Sequence, residues 1–283
     1  MKLFSVTLLR LLSITVLFFA LNPRLFGQDI NDFLDKNYCT IQLRMNQFDP
    51  DRFNRSIVEQ TYDIDWSKAE STIEFQNSSW KFQPKFQLTE DGKLDLEVKL
   101  LLVEGELPQS APSIDFIFQK WSVENYVLLP GAAYNGNRFE SRRIRYSPKL
   151  MDPRDYGPNN EAIVSDIPKL NNQEGPSRIQ ERSGSMTTPS LGFFSPSQGS
   201  SFWMLFPQAN QWGDFGVNLE ENRNRSKMTI SLSSPVVREY YKYRIADNRY
   251  PTDDIPPNFK KGDEVNFKMQ LQFFPSQNIA VAF

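Results

Sequence analysis

From Ile73 to Leu100 the apolar residues return at every second position. They run Ile73 and Phe75, Trp80 and Phe82, Phe86 and Leu88, then Leu94, Leu96, Val98 and Leu100. A period of two marks strands with one buried and one solvated face, and the Lys93, Asp95, Glu97 and Lys99 interleaved in the last run face water. Asp91-Gly92 stands between two such runs. That dipeptide accepts the positive φ of a tight hairpin turn, so this region reads as an antiparallel meander. Shorter apolar runs follow at Ile114 to Phe118, Tyr126 to Leu129, Ser201 to Phe206, Phe215 to Leu219, Met228 to Leu232 and Val236 to Tyr243. The chain ends with a long alternation in which Val265, Phe267, Met269, Leu271 and Phe273 are separated by Asn266, Lys268, Gln270 and Gln272. No long amphipathic helical period is present. Ten or more strands in one domain do not lie flat in a single sheet, so the expected fold is all-β, a large two-sheet antiparallel sandwich.

Three other stretches depart from that pattern. Lys2 and Arg10 precede an apolar run from Leu11 to Leu21, closed by Asn22-Pro23-Arg24. Its apolar core is about half the ~20 residues that span a bilayer, so residues 1–27 read as a secretory signal peptide, cut near Gly27 or Gln28, not as a membrane anchor. Residues 28–70 carry a mixed pattern and read as an N-terminal leader, which leaves 71–283 as the sandwich domain. Between Ser147 and Ser200 the chain carries seven prolines with many Asn, Ser and Gly. This Pro/Gly/Asn-rich excursion is expected to pack over the body without supplying a central strand.

Composition narrows the chemistry. Among 283 residues, 32 are basic and 34 acidic, a net charge of −2, and loss of residues 1–27 removes Lys2, Arg10 and Arg24 but no acid, moving it to −5. No basic field exists to hold a nucleic acid. Histidine is absent, which removes Ser-His-Asp and Cys-His nucleophiles and the histidine-bearing catalytic zinc sites. No metal or cofactor motif appears, and no Asp-x-Asp-x-Asp-Gly loop suited to calcium is present. Cys39, the single cysteine, forms no internal disulfide and is expected to be a small buried apolar residue.

The candidate chemistry lies in two loops. Tyr126-Val-Leu-Leu-Pro-Gly-Ala-Ala-Tyr-Asn-Gly-Asn-Arg-Phe139 takes an apolar strand into small residues and then Tyr134, Asn135, Asn137 and Arg138. An aromatic ring stacks on the apolar face of a pyranose, while amides and a guanidinium serve its hydroxyls. The same letters also describe a tight turn with Arg138 on the surface. In Phe202-Trp-Met-Leu-Phe-Pro-Gln-Ala-Asn-Gln-Trp-Gly-Asp-Phe-Gly216, Trp203 belongs to an apolar run and is expected in the core. Trp212, beside Asp214, is either a stacking platform or a packed residue. Neighbouring carboxylates occur at Asp152 and Asp155, Glu220 and Glu221, and Asp253 and Asp254. Glycoside hydrolysis needs two carboxyl groups roughly 5–10 Å apart across a cleft, which sequence neighbours on loops do not by themselves supply.

The meander, the signal peptide and the Pro130-Gly-Ala-Ala-Tyr-Asn-Gly-Asn-Arg-Phe139 stretch together resemble the N-terminal β-supersandwich of secreted bacterial glycoside hydrolases, of the galactose-mutarotase-like class. That resemblance implies a scaffold which packs on a C-terminal (α/α) barrel holding most catalytic carboxylates. This sequence contains no such barrel, so the expectation is a truncated gene, a split gene whose separately encoded barrel is the partner, or an end that tucks into the sandwich, beside an oligo- or polysaccharide as ligand. Mutarotases resemble the same fold but use histidine, which argues against epimerase activity here. The expectation is an exported, periplasmic or extracellular, non-catalytic module that supports or binds glycan through Tyr134, Asn135, Asn137, Arg138, Trp212 and Asp214. Two alternatives stand beside it: a complete carboxylate-dependent glycosidase or polysaccharide lyase acting through acids between 147 and 221, and a structural envelope protein that binds partners through sheet edges or its apolar end.

Overall fold

The structure, a computed structural model, describes residues 26–49, 54–89, 91–138, 168–175, 177–239, 241–242 and 249–283. Helix α1 (Phe26–Lys36) leads into β1 (Cys39–Phe48) and β2 (Ser56–Asp63). The meander is β3 (Ser71–Phe75), β4 (Ser78–Leu88) and β5 (Lys93–Leu107). Next come β6 (Ser113–Phe118), β7 (Tyr126–Leu129) and β8 (Ala133–Tyr134). After residue 168 the strands are β9 (Ser177–Arg182), β10 (Ser190–Ser195), β11 (Ser200–Leu205), β12 (Ala209–Asn210), β13 (Gly213–Asp214), β14 (Gly216–Glu221) and β15 (Met228–Ser233). The last are β16 (Tyr241–Lys242), β17 (Arg249–Tyr250), β18 (Phe259–Lys260) and β19 (Glu264–Pro275), followed by the short helix α2 (Ile279–Ala282).

Two antiparallel sheets form the body. One has the order β2-β1-β6-β15-β14-β9, the other β3-β4-β5-β19-β11-β10-β7-β8, with β18 added beside β5. Their inner faces share one core, in which Phe118 of the first sheet meets Phe193 and Phe202 of the second at 4.9 and 5.0 Å between ring centres. The all-β sandwich expected from the period of two is therefore the observed fold. On β5 the residues Leu94, Leu96, Val98, Leu100 and Leu102 are buried while their neighbours are not. Gly92 makes the β4–β5 turn with φ of 78°. Pro84 lies on β4 beyond the end of β3, whose pairing stops at Ser71 with Phe82. There β4 is an edge, and a missing N–H costs no ladder bond.

The structure corrects several expectations. Residues 28–70 do not stand apart as a leader: β1 lies between β2 and β6, with Cys39, Ile41, Leu43 and Met45 buried. The period of two was carried there by a cysteine and a methionine, which read as weaker strand signals than the β-branched and aromatic residues. Cys39 is 3% exposed, and burial pushes its thiol pKa up. Helix α1 buries Ile30 and Leu34 and sets Phe33 edge-on to Phe273 at 5.5 Å, a helical spacing of three and four that the sequence reading did not separate from the leader. The excursion does supply an internal strand, since β10 lies between β11 and β7 with all six residues buried. Pro189 and Pro196 bracket β10 and do not interrupt it. The strand expected over Val236 to Tyr243 is absent from Val236 to Glu239, because the Arg238 N–H donates to the Asp254 carboxylate and not to a ladder. Residues 1–25, where a signal peptide is expected, and residues 147–167 and 176 of the excursion lie outside the described residues.

Trp203 is not in the core. Its indole lies on the outer face of the larger sheet, where a Cβ on Gly192 would come within 2.7 Å of the ring. Its Nε1 donates to the Ala282 carbonyl at 2.9 Å, and Phe283 meets it edge-on at 5.5 Å. Helix α2 is thereby held against the sheet.

Asp254 fastens the chain after β15 to the smaller sheet. Its fully buried carboxylate accepts from Arg238 Nε at 2.8 Å and Nη2 at 2.9 Å, and from Arg182 of β9 at 2.5 Å. Burial alone pushes the carboxyl pKa up, but the hydrogen bonds and charge of Arg238, with the bond from Arg182, hold it below the usual carboxylate value. The proton-bound form is favoured in the unfolded chain, so this stabilisation is present above an ordinary Asp pKa of about 3.9 and is lost as pH falls through the lowered folded value. Asp254→Asn is expected to cost about 1.5–3 kcal/mol at pH 7 by removing the buried counter-charge of Arg238 and Arg182, which keep the exposed Asp253 at 3.7 and 3.3 Å. Urea unfolding of both proteins from pH 7 to pH 2 should show the gap between them closing below about pH 4.

Candidate functional site

The loop after β7 uses its polar residues to build itself. Asn135, Gly136 and Asn137 take successive left-handed φ of 51°, 57° and 51°, a conformation that Gly adopts freely and Asn tolerates. The Asn137 amide accepts from the Tyr134 N–H at 3.0 Å and donates to the Ala132 and Pro168 carbonyls at 3.0 and 2.8 Å. Asn137 is thus spent on the turn. Tyr134 is 64% exposed on the edge strand β8.

Arg138 points inward and its side chain is 1% exposed. It clasps Glu221, with Nη1 3.1 Å from Oε2 and Nη2 bonded to Oε1, while Nη1 also donates to the Asn171 carbonyl at 3.0 Å. Glu221, itself fully buried, further accepts from Ser177 Oγ at 2.6 Å and Trp121 Nε1 at 2.6 Å, and Arg225 Nε lies 3.3 Å from its Oε2. The same Nε donates to the Asn171 carbonyl, and the other Arg225 nitrogens donate to carbonyls of Gly175, Asn222 and Gln173. Neither the surface arginine nor the sugar-facing arginine of the sequence reading is what the fold contains.

Trp212 packs edge-on to Phe259 at 4.6 Å, and its Nε1 donates to the Glu264 carbonyl at 2.7 Å. This is the packed alternative for that residue. Asp214 sits against Gly184, where a Cβ would come within 2.3 Å of its carboxylate. Tyr134 and Trp212 are not brought together, because β7, β10 and β11 intervene between β8 and β19, a span of roughly 19 Å at 4.8 Å per strand. The carboxylate neighbours also separate. Glu220 and Glu221 point to opposite faces of β14, exposed and buried in turn, and Asp253 is largely exposed where Asp254 is fully buried. Asp152 and Asp155 lie outside the described residues.

A different set of residues converges at the open end of the sandwich. Phe118 of β6, Phe193 of β10 and Phe273 of β19 floor a cavity of about 590 Å³ between the sheets, within the roughly 300–1,000 Å³ of small-molecule sites. Lys36, Asn37 and Tyr38 enter from the α1–β1 turn, Lys120 and Trp121 from the loop after β6, and Ser197, Gln198 and Ser200 from the β10–β11 turn. Tyr38 has a left-handed φ of 52° and is 43% exposed, and the Lys120 ammonium lies 3.5 Å from its ring centre. A non-glycine residue held in that region is an uncommon backbone state, found often at functional positions. Hydrogen bonds lock the three loops together: Gln119 N–H donates to the Tyr38 carbonyl at 3.1 Å, and Gln198 Nε2 to the Lys120 carbonyl at 2.6 Å. Trp121 stands edge-on to Phe193 at 4.9 Å and is anchored to Glu221. The sequence reading missed this site because each contributor looks like an ordinary turn. The nearest signal was Lys120-Trp121 directly after an apolar strand.

The outer face of the smaller sheet is polar, and its central charged pair is well bonded. Asp115, 3% exposed, receives Arg44 Nε at 3.0 Å and Ser113 Oγ at 2.8 Å, and Arg44 also reaches Ser231 Oγ at 2.7 Å. Burial outweighs Arg44 here and raises the Asp115 pKa. Among the described residues no group of three Cys, Asp or Glu side chains is placed to hold a metal ion, and no helix is long and apolar enough to cross a membrane.

No protein-family model matches the chain, and no curated protein does. Solved structures give low-level likenesses. Slr1438 from Synechocystis sp. PCC 6803 superposes with a TM-score of 0.38 and 10% identity over 76% of this chain and 71% of that one. The GalM/aldose epimerase homologue from C. elegans gives 0.31 and 10% over 74% and 70%. Neither likeness carries an assignment of ligand or reaction.

Two substitutions separate the roles of the loop residues. Glu221→Gln keeps the shape but leaves Arg138 and Arg225 without a counter-charge, and is expected to cost about 3–5 kcal/mol. Tyr134→Ala should change stability by less than about 0.5 kcal/mol, as for exposed positions generally. Chemical denaturation of both variants beside the parent checks the contrast.

Proposed function

We propose that the protein is an exported, non-catalytic carbohydrate-binding β-sandwich that works beside a separately encoded glycoside hydrolase. The observation that carries this reading is the end cavity, where aromatic walls from Tyr38, Trp121 and the three phenylalanines meet amide and hydroxyl groups of Asn37, Gln198, Ser197 and Ser200. Sugar rings present apolar C–H faces and a rim of hydroxyls, and that pairing of surfaces is what such a lining accommodates. Asn37 and Gln198 each spend an Nδ2 or Nε2 donor on a backbone carbonyl, which fixes the amide plane and leaves its oxygen as an acceptor. Tyr134 and Asn135, at the sheet edge, are proposed as a second, weaker contact for a long glycan. Export rests on the N-terminal signal-peptide pattern, and the enzyme partner on the resemblance of the sequence to supersandwich modules.

The test is calorimetric titration of the full chain with neutral and acidic oligosaccharides, together with a turnover assay on the matching polysaccharides. Binding without turnover is expected. Tyr38→Ala should weaken binding by about tenfold, the scale of a lost aromatic contact of 1–1.5 kcal/mol, with little change in thermal midpoint. Absence of binding across both classes would overturn the reading, and turnover by the purified chain would move it to the enzyme alternative.

A further inference from the structure

Two cations and no carboxylate line the end cavity. Lys36 and Lys120 both border it, both are exposed, and neither has a carboxylate partner among the described residues. Elsewhere on this chain of net charge −2 lysines do sit beside acids, as Lys68 does with Asp65, Lys81 with Glu70, Lys93 with Asp91 and Lys268 with Glu97.

Their placement is also organised. Lys36 is the last residue of α1, so its ammonium stands at the negative end of a three-turn helix. Lys120 is held over the Tyr38 ring, and its backbone carbonyl is tied by Gln198. A cation resting on an aromatic face keeps its remaining N–H donors directed away from the ring, towards the opening. The cavity therefore offers positive charge at its rim, acceptors from Asn37 and Gln198 beside it, and aromatic walls beneath.

We infer that this cavity selects an acidic saccharide, one whose sugar rings carry carboxylate or sulfate groups, with Lys36 and Lys120 as the anion-recognising residues. The inference rests on the carbohydrate reading above and sharpens it. A fatty acid or other alkyl anion satisfies the lysines and the aromatic floor but leaves the amide and hydroxyl rim desolvated without partners, a cost of about 1–3 kcal/mol for each group. A neutral saccharide satisfies the rim and the walls but leaves both cations unused.

The test titrates the full chain with oligogalacturonate, a sulfated hexasaccharide, maltohexaose and dodecanoate at low and moderate salt, following tryptophan fluorescence and heat. The expected result is binding to the uronate, the sulfated sugar or both at least about tenfold tighter than to maltohexaose, weakening as added salt screens the lysines. The two acidic probes distinguish a carboxylate from a sulfate ester as the recognised group. Lys36→Gln/Lys120→Gln should remove that preference while leaving the thermal midpoint unchanged. Equal affinity for maltohexaose and the acidic sugars overturns the inference and leaves the carbohydrate reading standing. Binding of dodecanoate alone, or of none of the four, overturns both. If the double variant retains the acidic preference, the anion is bound elsewhere and the assignment to this cavity falls.

Discussion

A carboxylate buried at the inward end of a strand organises much of this molecule. Glu221 occupies a core-facing position on β14, where an apolar residue would ordinarily stand, and its charge has no access to water. A buried ion without partners costs several kcal/mol, so the fold is obliged to bring donors to it. They come from four directions: Arg138 from the loop after β8, Arg225 from the β14–β15 turn, Ser177 from the start of β9 and Trp121 from the cavity wall. Each donor fixes its own segment. The segment at 168–175, which forms no regular element, is held in turn by the carbonyl bonds of Arg138 and Arg225.

Rigidity at this centre passes directly to the cavity. Trp121 touches Glu221 through its indole nitrogen and Phe193 through its ring edge, so the wall is tied both to the ionic cluster and to the aromatic core. The mouth is shaped by three loops that bond one another through main-chain carbonyls at Tyr38 and Lys120. A preformed lining of this kind spends little conformational entropy when a ligand enters, which favours selective binding from few contacts.

The outer faces of the two sheets obey different physics. On the larger sheet the outward positions of β5 and β19 carry Lys and Glu beside Asp, Asn and Gln, joined in surface pairs such as Lys268 with Glu97. On the central strands β1, β6 and β15 of the smaller sheet they are mostly Ser, Thr, Asn and Gln, with the buried Asp115 and the half-buried Arg44 between them. Long charged side chains stay solvated at little cost, whereas short polar ones can be buried when they bond each other. Residue type at outward positions thus differs between the solvated strands β5 and β19 and the partly covered strands β1, β6 and β15.

The alternation of polar and apolar residues determined the strands of the meander, the long C-terminal strand and the two-sheet class, because side-chain period is a local consequence of backbone geometry. Composition determined what is missing from the chemistry, since a chain without histidine closes several routes at once. Local pattern did not decide which strands join: β1 went to the middle of a sheet, and β10 became internal between two prolines. The site was decided by tertiary structure for the same reason. Arg138 and Trp212 have the right chemistry for a ligand, yet Glu221 and Phe259, 83 and 47 positions along the chain, claim them. Tyr38, Lys120 and Gln198 look like turn residues until three separate loops meet at one end of the sandwich. Whether a polar side chain is free for a ligand depends on what lies beside it in space, and that information is not local in the chain.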